Sequence, residues 1–271
     1  MMKMLKQLCQ QPSRGTRERA IRRMLADKNV SYRLQVGERR KGQPRNLILT
    51  FNDNPQHRWI FGAHYDIDAH TLQGANDNSA AVIQLVQLAA DLTAAGYTGD
   101  LTICFWDLEE LTGGCVSQGA FSFAKSLGMR RQGDRFAKLV LVLDVCGVGD
   151  TIGISRSLFD AEQSGRFEQL LRINDQHYQS IETPRSDNEG LLRAGLKSVL
   201  AVVLPQAEIG EKPYPKTWAR LHTPQDNIAH IQSQTMQMMR RYLRSWVRTL
   251  EKLQEDQPLI QQADTTHQFS V

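Results

Sequence analysis

The 271-residue sequence predicts an α/β fold: a three-layer α/β/α sandwich around a central mixed, mostly parallel β-sheet. Three observations carry this reading. Short apolar runs without polar alternation ("RWIFGAH", "DLTICFW", "AKLVLVLDV", "KSVLAVVL") read as strands buried on both faces, as in a covered parallel sheet. Helix-periodic stretches separate them, as crossovers between parallel strands require. The composition, 41% hydrophobic and 23% charged, is enough to bury a core of that size.

Residues 3–27 read as helix, interrupted near Pro12 and Gly15. "SYRLQV" and "RNLILTF" follow as two strands close together in the chain, which adds an antiparallel edge. "RWIFGAH" is the first fully buried strand. A helix then runs from Ser79, which is placed as its cap, to about Ala95. "DLTICFW" is a strand, followed by a Gly-rich turn and a helix over 118–127. "AKLVLVLDV" and the short "DTIGI" are strands, "GRFEQLLRINDQHYQ" is helical, and "KSVLAVVL" is again a strand. The chain closes on a long amphipathic helix, "HIQSQTMQMMRRYLRSWVRTLEKLQ". Its apolar stripe of Ile231, Met236, Met239, Leu243 and Trp246 is assigned to the core rather than to an interface. Residues 1–271 read as one domain, with a helical segment at about 1–28 and a frayed polar tail at about 256–271.

The net charge of +4 is mild, and arginine concentrates in "RGTRERAIRRML" and "GERRKGQPR". With no aromatic interleaving and no nucleic-acid motif, these clusters read as solvated faces, and no nucleic-acid partner is expected. The opening residues do not have the form of a signal peptide, and no apolar run approaches transmembrane length. No membrane partner and a cytoplasmic location are therefore expected. The four cysteines (Cys9, Cys104, Cys115, Cys146) lack paired spacing and are not expected to bind zinc.

In open α/β sheets, ligands bind beyond the carboxyl ends of the strands. His64 and Asp66 follow "RWIFGA". Asp107, Glu109 and Glu110 follow "LTICFW", and Asp144 ends "LVLVL". His222 lies beyond the last strand and a long loop. Scattered loop polarity would not choose one edge at every strand. Imidazole and carboxylate are zinc donors, and a pair of zinc ions needs a bridging carboxylate. His64, Asp77, Glu110, Asp144 and His222 supply ligands for two Zn2+ ions, with Glu109 left over as a base. Each alone has a plainer reading: a satisfied core histidine, a helix cap at Asp77-Asn78-Ser79, a solvated glutamate pair, a turn at His222-Thr223-Pro224.

The motifs "HYD" (64–66), "GANDN" (74–78), "LEE" (108–110), "LVLDV" (141–145) and "LHTPQDNI" (221–228) run in that order over about residues 45–250. This series resembles the M28 family of zinc peptidases. The resemblance implies that His64 and Asp144 bind one zinc, Glu110 and His222 the other, and that Asp77 bridges them. It implies that Asp66 orients a ligand imidazole and that Glu109 is the general base acting on a metal-bridging water. It also implies a cis peptide at Asp77–Asn78. The expected activity is that of a dinuclear aminopeptidase whose partner is a peptide substrate with a free N-terminus. A glutaminyl-cyclase-like single-zinc acyltransferase and a metal-free binding module of the same fold are the alternatives. Two stretches depart from the family pattern. "EELTGGCVSQGAFSFA" displaces the glycines after the glutamate pair, and "RSDNEGLLRAG" has Asn188 in place of histidine. In the second stretch Asp187 is expected to help line the substrate pocket, the plainer reading being a helix cap at Ser186 or Asp187.

Overall fold

The computed structural model describes residues 1–38, 42–53, 56–110, 114–128, 137–155, 161–212 and 214–255. The tail at 256–271, including His267, and residues 111–113 of the Gly-rich stretch lie outside the described residues. In chain order the elements are α1 (Met2–Cys9), α2 (Arg14–Ala26), β1 (Arg33–Val36), β2 (Arg45–Thr50) and β3 (Trp59–His64). They continue with α3 (Ala80–Ala94), β4 (Leu101–Trp106), α4 (Gly119–Ser126), β5 (Leu139–Leu143) and β6 (Thr151–Ser155). The last are α5 (Ala161–Ile173), β7 (Tyr178–Ile181), α6 (Asp187–Arg193), β8 (Val199–Leu204) and α7 (Ser233–Glu255).

The eight strands form one sheet in the order β1-β2-β4-β3-β5-β8-β6-β7. The central four, β4, β3, β5 and β8, are mutually parallel, so their carboxyl ends share one edge. β1, β2 and β4 pair antiparallel, giving the edge expected from the two closely spaced early strands.

Strand pleating divides the core into two layers. Phe61, Ile103, Leu141 and Ala201 face α1, α2, α3, α5 and α7, and their neighbours Ile60, Cys104, Val142 and Val202 face α4 and α6. Both faces are therefore apolar, which explains the unbroken hydrophobic runs. Gly62 is required by a close approach: the Trp106 ring lies where a side chain at position 62 would stand. At the N-terminus, Ser13 caps α2 through its hydroxyl, which accepts from the Thr16 amide, and the chain breaks at Pro12.

Three expectations need correction. The stretch expected to be helical to residue 179 leaves the helix at Ile173, turns through Asp175 (φ +52°), and forms strand β7. The apolar period ends with Phe167, Leu170 and Leu171, so nothing beyond them holds a helix against the sheet. Ser79 does not cap α3; its hydroxyl instead donates to the Gly74 carbonyl. The arginine cluster of α2 is not simply a solvated face, because Arg17 and Glu18 are buried. Among the described residues, no helix is long and apolar enough to cross a membrane.

On α7, Leu243 and Trp246 are fully buried, and Trp246 meets Phe167 edge-on at 5.1 Å. Leu243→Ala is expected to lower the unfolding free energy by about 2–5 kcal/mol, measured by urea titration. An unchanged midpoint would mean that the stripe of α7 is not core.

Candidate metal centre

Each of the central strands β3, β4 and β5 delivers a polar residue as it leaves the sheet. His64 closes β3 with its ring buried, and Asp66 follows two residues later. The two Asp66 oxygens accept the backbone N–H groups of Glu109 and Glu110, each at 3.1 Å. One carboxylate therefore ties the end of β3 to the glutamate pair after β4. Asp66 Oδ1 also lies 3.4 Å from His64 Nδ1. Beyond β5, Asp144 stands 3.5 Å from His64 Nε2 through Oδ1, and its Oδ2 accepts the Ser186 hydroxyl at 2.7 Å.

Asp77 sits in the turn before α3. The Asn76 and Asp77 amides donate to the two oxygens of Asp226 at 2.8 and 3.0 Å, and Asn78 Nδ2 donates to the Leu143 carbonyl at 2.8 Å. The Asp77–Asn78 peptide is cis, as the resemblance implied. The Asp77 carboxylate lies between the two histidines: Oδ1 is 3.2 Å from His64 Nε2, and Oδ2 is 3.2 Å from His222 Nε2. His222 Nε2 is also 3.3 Å from Glu110 Oε2. Leu108, Val145 and His222 all have left-handed backbones (φ +63°, +52° and +56°), uncommon for such residues and frequent where a chain is re-aimed at a functional site.

All seven sequence-assigned site residues therefore converge. His64, Asp77 and Asp144 each bring one donor atom within 4.8 Å of the others, as do His64, Glu109 and Glu110. Asp68, Glu110 and His222 form a third such group, so Asp68, a plain loop residue in the sequence, belongs at the site's margin. Asp107 faces away and accepts from Arg14 Nη1 and the Arg45 amide. Asp187 does not line the pocket: it is fully buried, and neither carboxylate oxygen has a hydrogen-bond partner.

The charges are unbalanced. Asp66, Asp77, Glu109, Glu110, Asp144 and Asp187 gather around two imidazoles. Burial pushes the Glu109 and Asp187 carboxyls well above the usual range, with neighbouring carboxylates adding to the rise and His64 opposing it. Burial acts the same way on Asp77, but the contacts with His222 and His64 outweigh it and hold Asp77 well below the usual range. Those with Asp77 and Glu110 push His222 up to about 11. Six carboxyl groups thus share two imidazoles. His64 Nε2 and Asp144 Oδ1 are buried without a hydrogen-bond partner. Two donors of one tetrahedral zinc, each about 2.0–2.1 Å from the ion, lie roughly 3.3 Å apart. The separations from His64 Nε2 to Asp77 and Asp144, and from His222 Nε2 to Asp77 and Glu110, run from 3.2 to 3.5 Å. The donor set fits zinc.

Besides Asp68, four contributors escaped the sequence reading. Asp226 sits inside "LHTPQDNI", so its signal was present without a role. Ser186 and Gln118 belong to the two departing stretches; Gln118 Nε2 lies 3.5 Å from Glu109 Oε1. Arg17 carried no signal beyond its charge. A cavity of about 380 Å³ opens on Asp77, Glu109, Asp144 and His222, with walls that include Val202, Tyr214 and Trp218.

Fold and site together define an α/β/α sandwich with an imidazole–carboxylate cluster at the carboxyl edge of its parallel strands. The family model described as Peptidase family M28 matches residues 46–247, and the chain belongs to that family. Comparison with curated proteins finds no match. Among solved structures, the chain is similar to a Porphyromonas gingivalis glutaminyl cyclase at 17% identity and TM-score 0.71, covering 93% of this chain and 96% of that one. It is similar to LapB from Legionella pneumophila (14%, TM-score 0.69, 92% and 70%) and to BSAP, a zinc aminopeptidase from Bacillus subtilis (20%, TM-score 0.56, 77% and 50%). At such identities the likeness establishes the fold.

Asp226→Ala leaves two buried amides unpaired, and each is expected to cost about 1–3 kcal/mol of stability by denaturant titration. A variant as stable as the parent would remove Asp226 as the anchor of the Asp77 turn.

Proposed function

We propose that the protein is a dinuclear zinc aminopeptidase that removes the N-terminal residue of peptides. His64 and Asp144 hold one ion, Glu110 and His222 the other, and Asp77 bridges them. One observation carries the reading: the two oxygens of a single buried carboxylate each lie 3.2 Å from a different imidazole nitrogen. That arrangement suits a carboxylate shared between two ions. Bound zinc supplies Lewis acidity toward the scissile carbonyl and makes a coordinated water more acidic.

The chain's own groups do the remaining work. Asp66 fixes the His64 ring and, through the Glu109 and Glu110 amides, the path of the glutamate pair. Glu109, whose proton affinity is raised by burial and by surrounding carboxylates, takes a proton from the attacking water and returns it to the leaving amine. The carboxylate-rich floor suits a cationic α-amine, and the cavity wall of Val202, Tyr214 and Trp218 suits an apolar side chain.

The near-equal coverage with the P. gingivalis glutaminyl cyclase favours a second reading, a single-zinc acyltransferase that cyclises N-terminal glutamine. Metal analysis separates the two: about two zinc ions per chain supports the aminopeptidase, and about one supports the cyclase. A panel of aminoacyl fluorogenic substrates, run with and without chelator, should show metal-dependent release only from free N-termini. Cleavage of N-blocked peptides contradicts the proposal. Glu109→Gln is expected to lower kcat by about 10²–10⁴-fold with zinc content unchanged. Full activity in that variant would remove Glu109 as the base.

A further inference from the structure

Arg17 lies on α2, outside the residues matched by the family model, yet its guanidinium is fully buried against the connection that carries Asp66 and Asp77. Nε donates to the Tyr65 carbonyl at 2.5 Å, and Nη1 donates to the Gln73 carbonyl at 3.1 Å. Nη2 donates to the Ser79 hydroxyl at 2.5 Å, and that hydroxyl donates to the Gly74 carbonyl. One planar fork thus grips both ends of the connection. Tyr65 stands between His64 and Asp66, while Gln73 and Ser79 flank the turn that presents Asp77.

Burying a guanidinium among neutral acceptors is costly, and a fold bears that cost only where geometry demands it. Burial lowers the Arg17 pKa to about 10, held up in part by Asp66, Asp226 and Asp77, so the group stays cationic at neutral pH. A lysine could supply the charge but not three directed donors, because its ammonium is a point charge on a flexible stem.

We propose that Arg17 is a positioning residue for the metal centre, which sets His64, Asp66 and Asp77 relative to one another from outside the matched peptidase region. This rests on the zinc reading above. The α1–α2 segment then contributes to metal affinity as well as to stability.

The test measures zinc affinity by competition with a chromophoric chelator, alongside the unfolding midpoint, on the full chain. Arg17→Lys is expected to weaken zinc binding about 10–100-fold, the range for groups that orient ligands. Ser79→Ala, which removes the acceptor of Arg17 Nη2 together with that hydroxyl's own bond to the Gly74 carbonyl, is expected to weaken it in the same direction and carries the test if Arg17→Lys does not fold. Ile21→Ala, a core truncation on the same helix, is expected to lower the midpoint and leave zinc affinity unchanged. Wild-type affinity in Arg17→Lys and Ser79→Ala overturns the proposal. So does an Ile21→Ala variant that loses affinity as they do. Failure of the wild-type chain to bind zinc overturns the zinc reading itself.

Discussion

Asp77 is buried, yet both of its oxygens face histidine nitrogens at 3.2 Å, and the two imidazoles hold it in its charged form against the pull of burial. The rest of the site is arranged to keep that one carboxylate in place. Asp226 takes the amides on one side of it, Asn78 anchors to β5 on the other, and Arg17 fixes the start and end of the connection. Parallel strands do the coarse work. They bring His64, the glutamate pair and Asp144 to one edge because consecutive crossovers return the chain in the same direction.

The same crowding sets the energetics. Burial at this poorly hydrated edge, with repulsion from neighbouring carboxylates, raises the proton affinity of Glu109, which suits the proton-transferring role proposed for it. A divalent cation relieves that repulsion directly. On the proposed reading, loading the site and stabilising the fold would be one linked process, and the binding free energy of the metal would appear as folding free energy.

Much of this was legible in the sequence, for identifiable reasons. Strands buried on both faces leave unbroken apolar runs, and residues at their carboxyl ends can be collected without knowing the topology. β7 was missed because "HYQSI" follows a helix-periodic stretch with no turn-forming glycine or proline between them. Only the left-handed Asp175 separates the two in space. Arg17 was misread for a different reason. Its partners Tyr65, Gln73 and Ser79 are 48 to 62 residues away, and no local pattern encodes a contact of that range. The motif around Asp187 suits either a pocket wall or a helix start; Asp187 opens α6, which turns its side chain into the protein, where neither oxygen has a hydrogen-bond partner.

The central claim is that one carboxylate is shared by two ions. Anomalous scattering at the zinc edge from crystals of the zinc-loaded protein tests it most directly. Two peaks about 3.5–4 Å apart, one on each side of Asp77, are the expected result. A single peak, or two peaks with Asp77 contacting only one, would contradict the account.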